Sequence, residues 1–225
     1  GAGYDYVREY VEACRANDMR IGLYYSLGDW RFGFPQVPGL EGTPKQGEQM
    51  RKQAHDQVRE LLSNYGKIDM LWYDGGWVYP SRPSDTQKEV AEFWQAEKLN
   101  AMARKLQPDI LINNRSGLPE DFGTCEGHIT PENRAWESCV TMGSEHGWGY
   151  LNYDPARKTP AQIIEMLATA TAKGGNFLLN IGPMANGRLS AAESRLLSKV
   201  AKWLKTHGEA IYDAEPESIA NPCLG

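Results

Sequence analysis

Short apolar runs alternate with helix-length segments along this chain, and that alternation constrains the fold more than any other feature. The runs lie at about 19–26, 68–73, 109–114, 135–141 and 175–181. Between them the spacing turns helical. In YDYVREYVEACRAND, Val7, Tyr10, Val11 and Cys14 recur on one helical face. A second helix is predicted over roughly Glu48–Asn64 and a long helical region from about Asp85 to Leu106, ahead of Pro108. Thr159 reads as an N-cap with Pro160 at the first helical position, and Ser190 with Glu193 has the spacing of a capping box that opens a final helix to about Thr206.

Strands of this length joined by helices need crossover connections, so the sheet must be mostly parallel and buried on both faces. The expected class is α/β. A closed (β/α)8 barrel takes about 250 residues, and five strands spread over 225 residues fit an incomplete, TIM-like (β/α)8 barrel with about five strands present. An open doubly wound sheet is the rival, but NIGPMANG lacks the spacing of a dinucleotide loop.

Acidic residues outnumber basic ones 29 to 24, giving a formal charge of −5, and the basic residues form no stripe. Neither a nucleic-acid backbone nor an anionic membrane is therefore an expected partner. No apolar stretch approaches the roughly 18–20 residues of a membrane helix. Cys14, Cys125, Cys139 and Cys223 contain no C-x-x-C pair, although Cys125 and Cys139 could either pair or stay as buried thiols. Single histidines such as His128 and His146, without a cluster of acids, imply no metal site, and no cofactor is expected.

The run IDMLWYDGGW ends in an acid and two glycines, so Asp74 is expected at the carboxyl end of a strand, where the loops of parallel α/β proteins carry sites, with Gly75-Gly76 as the turn that ends the strand. The plainer reading is that Asp74 caps this turn. A second group of acids, Glu120, Asp121, Glu126, Glu132 and Glu137, follows ILINNR in and after a long polar loop, and spacing alone does not choose among them. Aromatic residues gather near the strand ends: Tyr24, Tyr25 and Trp30; Trp72, Tyr73 and Trp77; Trp136, Trp148 and Tyr150. Seven Trp and eleven Tyr suit a sugar site, in which apolar ring faces stack on aromatic ones. They equally suit a barrel core.

The segments IGLYYSLGDW, MLWYDGGW, INNR, TPE, WESCVTMGSEHGWGY and KGGNFLLNIGPMANG, in this order, resemble the signatures of glycoside hydrolase family 29, the retaining alpha-L-fucosidases. The resemblance implies hydrolysis of fucosylated glycans, with Asp74 as nucleophile, Glu132 as acid/base, and Tyr24, Trp72 and Arg115 as sugar contacts. Glu126 and Glu137 are the second choices for the acid/base. Retaining chemistry of this kind uses two carboxyl groups about 5–5.5 Å apart, one ionised for attack and one protonated to release the leaving group.

The likeness covers the later part of the family's catalytic barrel, residues 1–212, with 213–225 as a tail or the start of a linker. The family's upstream histidine segment, its first barrel strands and its C-terminal β-sandwich have no counterpart in these residues. An incomplete sheet would expose strand edges and apolar faces, so a homo-oligomer is expected. The alternatives to the enzyme are a weakly active or inactive carbohydrate-binding remnant and a glycosidase of related sugar specificity. A secreted, periplasmic or lysosomal location would follow from the resemblance if a preceding segment carries a signal.

Overall fold

The computed structural model describes residues 3–33, 42–76, 86–145, 147–212 and 214, and it divides into two compact units, residues 1–122 and 123–225. Trp77, His146, Cys223, the expected helix start at Asp85 and nearly all of the 213–225 tail lie outside the described residues.

The first unit opens with helix α1 (Tyr6–Ala16), whose N-cap Asp5 accepts a hydrogen bond from the Arg8 N–H at 3.0 Å. Strand β1 (Gly22–Ser26) follows, then α2 (Pro44–Asn64), β2 (Met70–Asp74), α3 (Gln87–Trp94), α4 (Ala96–Leu106) and β3 (Leu111–Ile112). The strands form a parallel sheet in the order β1-β2-β3, with Tyr24 beside Trp72 and Ser26 beside Asp74. Alternation sorts β2 into two faces: Leu71 and Tyr73 are buried, whereas Met70, Trp72 and Asp74 are partly open. The buried face packs with Leu23, Ile112, Val58 and Leu62 of α2 and Leu99 of α4 in one core. Each such aliphatic side chain contributes about 1.5–3 kcal/mol when fully buried.

The second unit contains β4 (Gly123–Glu126), β5 (Trp136–Thr141), α5 (Pro160–Ala172), β6 (Asn176–Asn180) and α6 (Ala191–His207). Its strands also run parallel, in the order β4-β5-β6. Every residue of β5 is buried, as expected for a strand covered on both faces. The Thr159 cap with Pro160 and the Ser190–Glu193 capping box are both present.

Three expectations need correction. The loop after ILINNR is not structureless: β4 lies inside it, and its Gly-Thr-Cys-Glu sequence carries no apolar run that could announce a strand. Its pairing with β5 supplies what propensity does not. The long helical region is two helices, broken at Gln95, whose φ of 49° places it in the left-handed region. Helix α2 begins at Pro44 rather than Glu48, because Thr43 and Gln46 form a capping box ahead of the predicted start. The open cysteine question is also answered: Cys125 and Cys139 are free thiols. The α/β class and the parallel pairing agree with expectation.

Candidate active site

Period-two alternation along β2 puts Trp72 and Asp74 on the same face, and parallel register sets Tyr24 and Ser26 of β1 beside them. The Tyr24 hydroxyl donates to Asp74 Oδ2 at 2.9 Å. Arg115, three residues past the end of β3, donates to Asp74 Oδ1 at 2.9 Å. Each carboxylate oxygen thus has its own donor. The Tyr24 and Trp72 rings stack with centroids 5.9 Å apart and planes 21° from parallel. The Arg115 guanidinium carbon sits 4.8 Å from the Trp72 ring centroid, within cation–π range. Tyr24 is 62% exposed and Trp72 partly buried, so the Tyr24 ring is the member of the pair open to a ligand.

Partial burial, then the hydrogen bond to Asp74 and the charge of its carboxylate, push the Tyr24 phenol above its ordinary value of 10, with the Arg115 cation pulling the other way. The hydroxyl therefore stays a donor across neutral and alkaline pH.

Two backbone devices fix this cluster. The Asn113 carboxamide, fully buried, accepts from the Tyr73 N–H at 2.8 Å and donates to the Tyr73 carbonyl at 2.9 Å. It thereby satisfies both backbone groups of the residue between Trp72 and Asp74. The glycines after Asp74 serve separate needs. Gly75 has φ 57°, and a Cβ on Gly76 would approach the Arg115 carbonyl oxygen to 2.8 Å. Buried Trp94 donates its indole N–H to the Gly76 carbonyl at 2.9 Å, pinning the turn.

The segment after β1 keeps company with this turn: the Leu27 N–H donates to the Asp74 carbonyl at 2.8 Å and the Gly28 N–H to that of Gly75 at 2.9 Å. Asp29 then anchors the chain to α2. Arg31 Nε donates to its two oxygens at 3.1 and 3.0 Å, and Gln53 Nε2 donates to Oδ2 at 2.8 Å. The Arg31 side chain, opposed by burial and aided by the Arg31 backbone N–H and by Gln53, lowers the Asp29 carboxyl from 3.8 to about 2. Because the folded value is depressed, the stabilisation is complete above pH 3.8 and is lost as pH falls towards 2. Asp29→Asn is expected to lower the thermal midpoint at pH 7 by about 2–4 °C, the response to roughly 1 kcal/mol in a chain of this size. Melting curves of parent and variant should converge as pH falls from about 4 to 2; a constant gap would exclude this origin.

Glu132 belongs to the second unit, in the connection that follows the carboxyl end of β4. It is partly buried, and Arg134 Nε donates to its Oε2 at 2.6 Å. The second-choice acids differ in placement: Glu126 is exposed, whereas Glu137 is buried within β5. Trp136 is a core residue rather than a ligand platform, being 3% exposed with its ring lying where a Cβ on Gly175 would go. Tyr73 is likewise fully buried. His128 is exposed, and its carbonyl accepts from Ser138 Oγ at 2.6 Å. Among the described residues, no group of three or more His, Cys, Asp or Glu could hold a metal ion, and no helix is long and apolar enough to cross a membrane.

The structure therefore brings Tyr24, Trp72, Asp74 and Arg115 together and places Glu132 in the other unit. Sequence reasoning gave no role to Asn113 and only that of a turn former to Gly76. The one hint for Asn113 was its position, a polar amide directly after an apolar run.

Comparison with known proteins adds the lineage. The family model described as Alpha-L-fucosidase matches residues 1–209. The tissue alpha-L-fucosidase of Mus musculus is 30% identical over 230 residues, covering 96% of this chain and 48% of the mouse protein. Among solved structures, alpha-L-fucosidase isoenzyme 1 from Paenibacillus thiaminolyticus is 31% identical with a TM-score of 0.80, covering 100% of this chain and 57% of that one. The Thermotoga maritima alpha-fucosidase, solved with a mechanism based inhibitor, is 28% identical with a TM-score of 0.76 over 97% of this chain and 49% of its own. The chain spans about half the length of the curated relatives it matches. With a family match that runs from its first residue to residue 209, the chain belongs to the alpha-L-fucosidase family, glycoside hydrolase family 29.

Proposed function

We propose that this chain carries the catalytic carboxyls of a retaining alpha-L-fucosidase, with Asp74 as nucleophile and Glu132 as acid/base. The observation that carries the reading is the Asp74 carboxylate, at the carboxyl end of a parallel strand, held by one donor on each oxygen beside the stacked Tyr24 and Trp72 rings, the first of them exposed. Such a carboxylate is fixed in direction yet keeps further lone pairs for attack.

In the first step a carboxylate oxygen of Asp74 bonds to the anomeric carbon, while Glu132 gives its proton to the departing glycosidic oxygen. In the second, Glu132 takes a proton from water, the water oxygen bonds to the anomeric carbon, and the bond to Asp74 breaks. Two inversions give retention. Tyr24 and Arg115 orient the nucleophile and stabilise the charge that returns to the Asp74 carboxylate when it leaves; Trp72 and Tyr24 offer a face for the apolar side of the sugar. Arg115 acts as a clamp rather than a proton donor, since guanidinium does not deprotonate in proteins.

The fold that accompanies this reading is a TIM-like (β/α)8 barrel to which residues 1–212 contribute, with 213–225 as a tail. Parallel pairing and strand–helix alternation support it. Self-association is part of the same proposal. Among the described residues β1 pairs only on its β2 side, and Tyr6, Tyr10 and Met19 are exposed. Sedimentation at micromolar concentration should show a species heavier than one chain, and a monomer would reject this part.

An aryl alpha-L-fucoside tests the enzyme reading. Release of the aryl group with alpha-fucose as the first-formed anomer, followed by NMR, is expected; saturable fucose binding without release would instead support a binding remnant. Tyr24→Phe should lower kcat/KM by roughly 10- to 100-fold, since a hydrogen bond to a charged group contributes about 1.5–3 kcal/mol. An unchanged value would remove Tyr24 from the machinery.

A further inference from the structure

Gly123, the first residue of β4, is buried and sits in regular pairing: its N–H donates to the Ala135 carbonyl at 3.0 Å, and it lies in register with Trp136. It is not among the residues with positive φ. Backbone conformation therefore gives no reason for glycine here, and an L side chain is permitted as far as φ is concerned. Space is what forbids one. The three heavy atoms nearest to a Cβ built on Gly123 are Oε1, Cδ and Oε2 of Glu132, all inside the 3.0 Å that real Cβ atoms essentially never breach. The Glu132 carboxyl rests directly on the face of this glycine.

Other glycines show what is distinctive about this one. A Cβ on Gly143 would also meet a carboxyl, that of Asp154, but Asp154 accepts from the backbone of Ser144 and Ala156 and so shapes a turn. The atom nearest to a Cβ on Gly76 is a backbone carbonyl oxygen, and those nearest to one on Gly182 are all backbone. At Gly123 the three nearest atoms all belong to the end of one flexible side chain, as at Gly66 beside Arg15, but Gly66 has φ 71° and needs glycine for its conformation, whereas Gly123 does not. Among the described residues that side chain's hydrogen-bond partner is Arg134, two positions along. A methyl group at position 123 would meet little resistance from the fold and would instead displace the carboxyl.

We infer that Gly123 is a positioning residue for Glu132: the missing side chain forms the seat that, with Arg134, sets where the carboxyl delivers and collects its proton. This rests on the acid/base reading of Glu132. General acid–base transfer requires the donor within hydrogen-bond reach of the reacting oxygen, so displacement by the width of a methyl group removes the function while the carboxyl itself survives.

The test compares Gly123→Ala, Glu132→Ala, Glu132→Asp and the double variant Gly123→Ala/Glu132→Asp in the full chain. Gly123→Ala is expected to keep its thermal midpoint within about 2 °C of the parent, since the group that must yield is a flexible side-chain end. With 13C-labelled glutamate, the Glu132 carboxyl resonance, assigned by its loss in Glu132→Gln, should shift in Gly123→Ala. This readout does not depend on turnover. In kinetics, the ratio of kcat/KM for an activated aryl fucoside to that for an alkyl fucoside should rise about tenfold or more in Gly123→Ala, as in Glu132→Ala. Shortening the acid makes room for the methyl, so Glu132→Asp should cost less when combined with Gly123→Ala than it does in the parent. An unmoved resonance, or loss of folding in Gly123→Ala, would overturn the inference. If Glu132→Ala leaves the leaving-group ratio unchanged, the acid/base reading fails, and the resonance still decides whether Gly123 seats the carboxyl.

Discussion

Asp74→Gly is expected to reduce kcat/KM on aryl alpha-L-fucosides by about 10⁴-fold or more, the scale seen when a nucleophile is removed from a covalent mechanism. The substitution removes the acceptor shared by Tyr24 and Arg115 along with the attacking oxygen, so two donors converge on an empty position. A small anion suits that position. Azide added to Asp74→Gly should restore measurable turnover by attacking the anomeric carbon from the vacated side, in a single displacement that yields the beta-fucosyl azide. Asp74→Asn supplies the control for packing, keeping the side-chain shape while abolishing the charge, and it should be as inactive without accepting azide. A 2-fluorofucosyl group trapped on a residue other than Asp74 in the parent protein would decide against the assignment.

Glu132→Ala should fail differently. Substrates with poor leaving groups depend on protonation and should lose about 10²- to 10⁴-fold in kcat/KM. An activated aryl fucoside hardly needs the proton, so its fucosyl-enzyme still forms; water then lacks its general base, and the intermediate accumulates. The expected trace is a burst of aryl release followed by a slow steady state, with the adduct visible by intact mass. Glu126→Ala should do neither, because Glu126 is exposed at the end of β4. Glu137→Ala should act through stability, since Glu137 is buried inside β5. If either of these two variants, and not Glu132→Ala, altered leaving-group dependence, the acid/base would have to be reassigned.

Local signals carried much of this structure. Thr159-Pro160 and Ser190 with Glu193 announce helix starts because capping is a contact between near neighbours, legible wherever the right pair recurs. The β2 run reads as a strand for a similar reason, and the acid that follows it is expected at the strand's carboxyl end, where Asp74 lies. Where the deciding contact is distant in sequence, the signal fades. Strand β4 exists through pairing with β5, and the break at Gln95 depends on a single left-handed residue in a sequence of good helix formers. Tyr24 stands out only as one of several strand-end aromatics, and Arg115 and the pairing of both with Asp74 come only through the family resemblance, because nothing in their own neighbourhoods reveals Asp74, 50 and 41 residues away. Neither Gly123 nor Asn113 has a role that its own neighbourhood announces, although Asn113 lies within the INNR segment. A glycine whose purpose is vacancy and an amide whose purpose is another residue's backbone leave no trace in composition or period.

The Asn113 clasp also limits how the length of this segment can drift. Strand β3 is only two residues long, yet the neighbouring strand does not lose a rung, because the Asn113 side chain replaces the peptide that a longer strand would have supplied. The main chain is released to turn away one step early, and two residues later Arg115 arrives over Trp72 and at Asp74. The stretch from 113 to 115 works as a spacer of fixed count between an anchor and a tool. Insertion of one residue would keep the anchor seated and carry the guanidinium past its carboxylate. A relative that gained a residue here would retain the sheet while losing the charge that faces the Asp74 carboxylate.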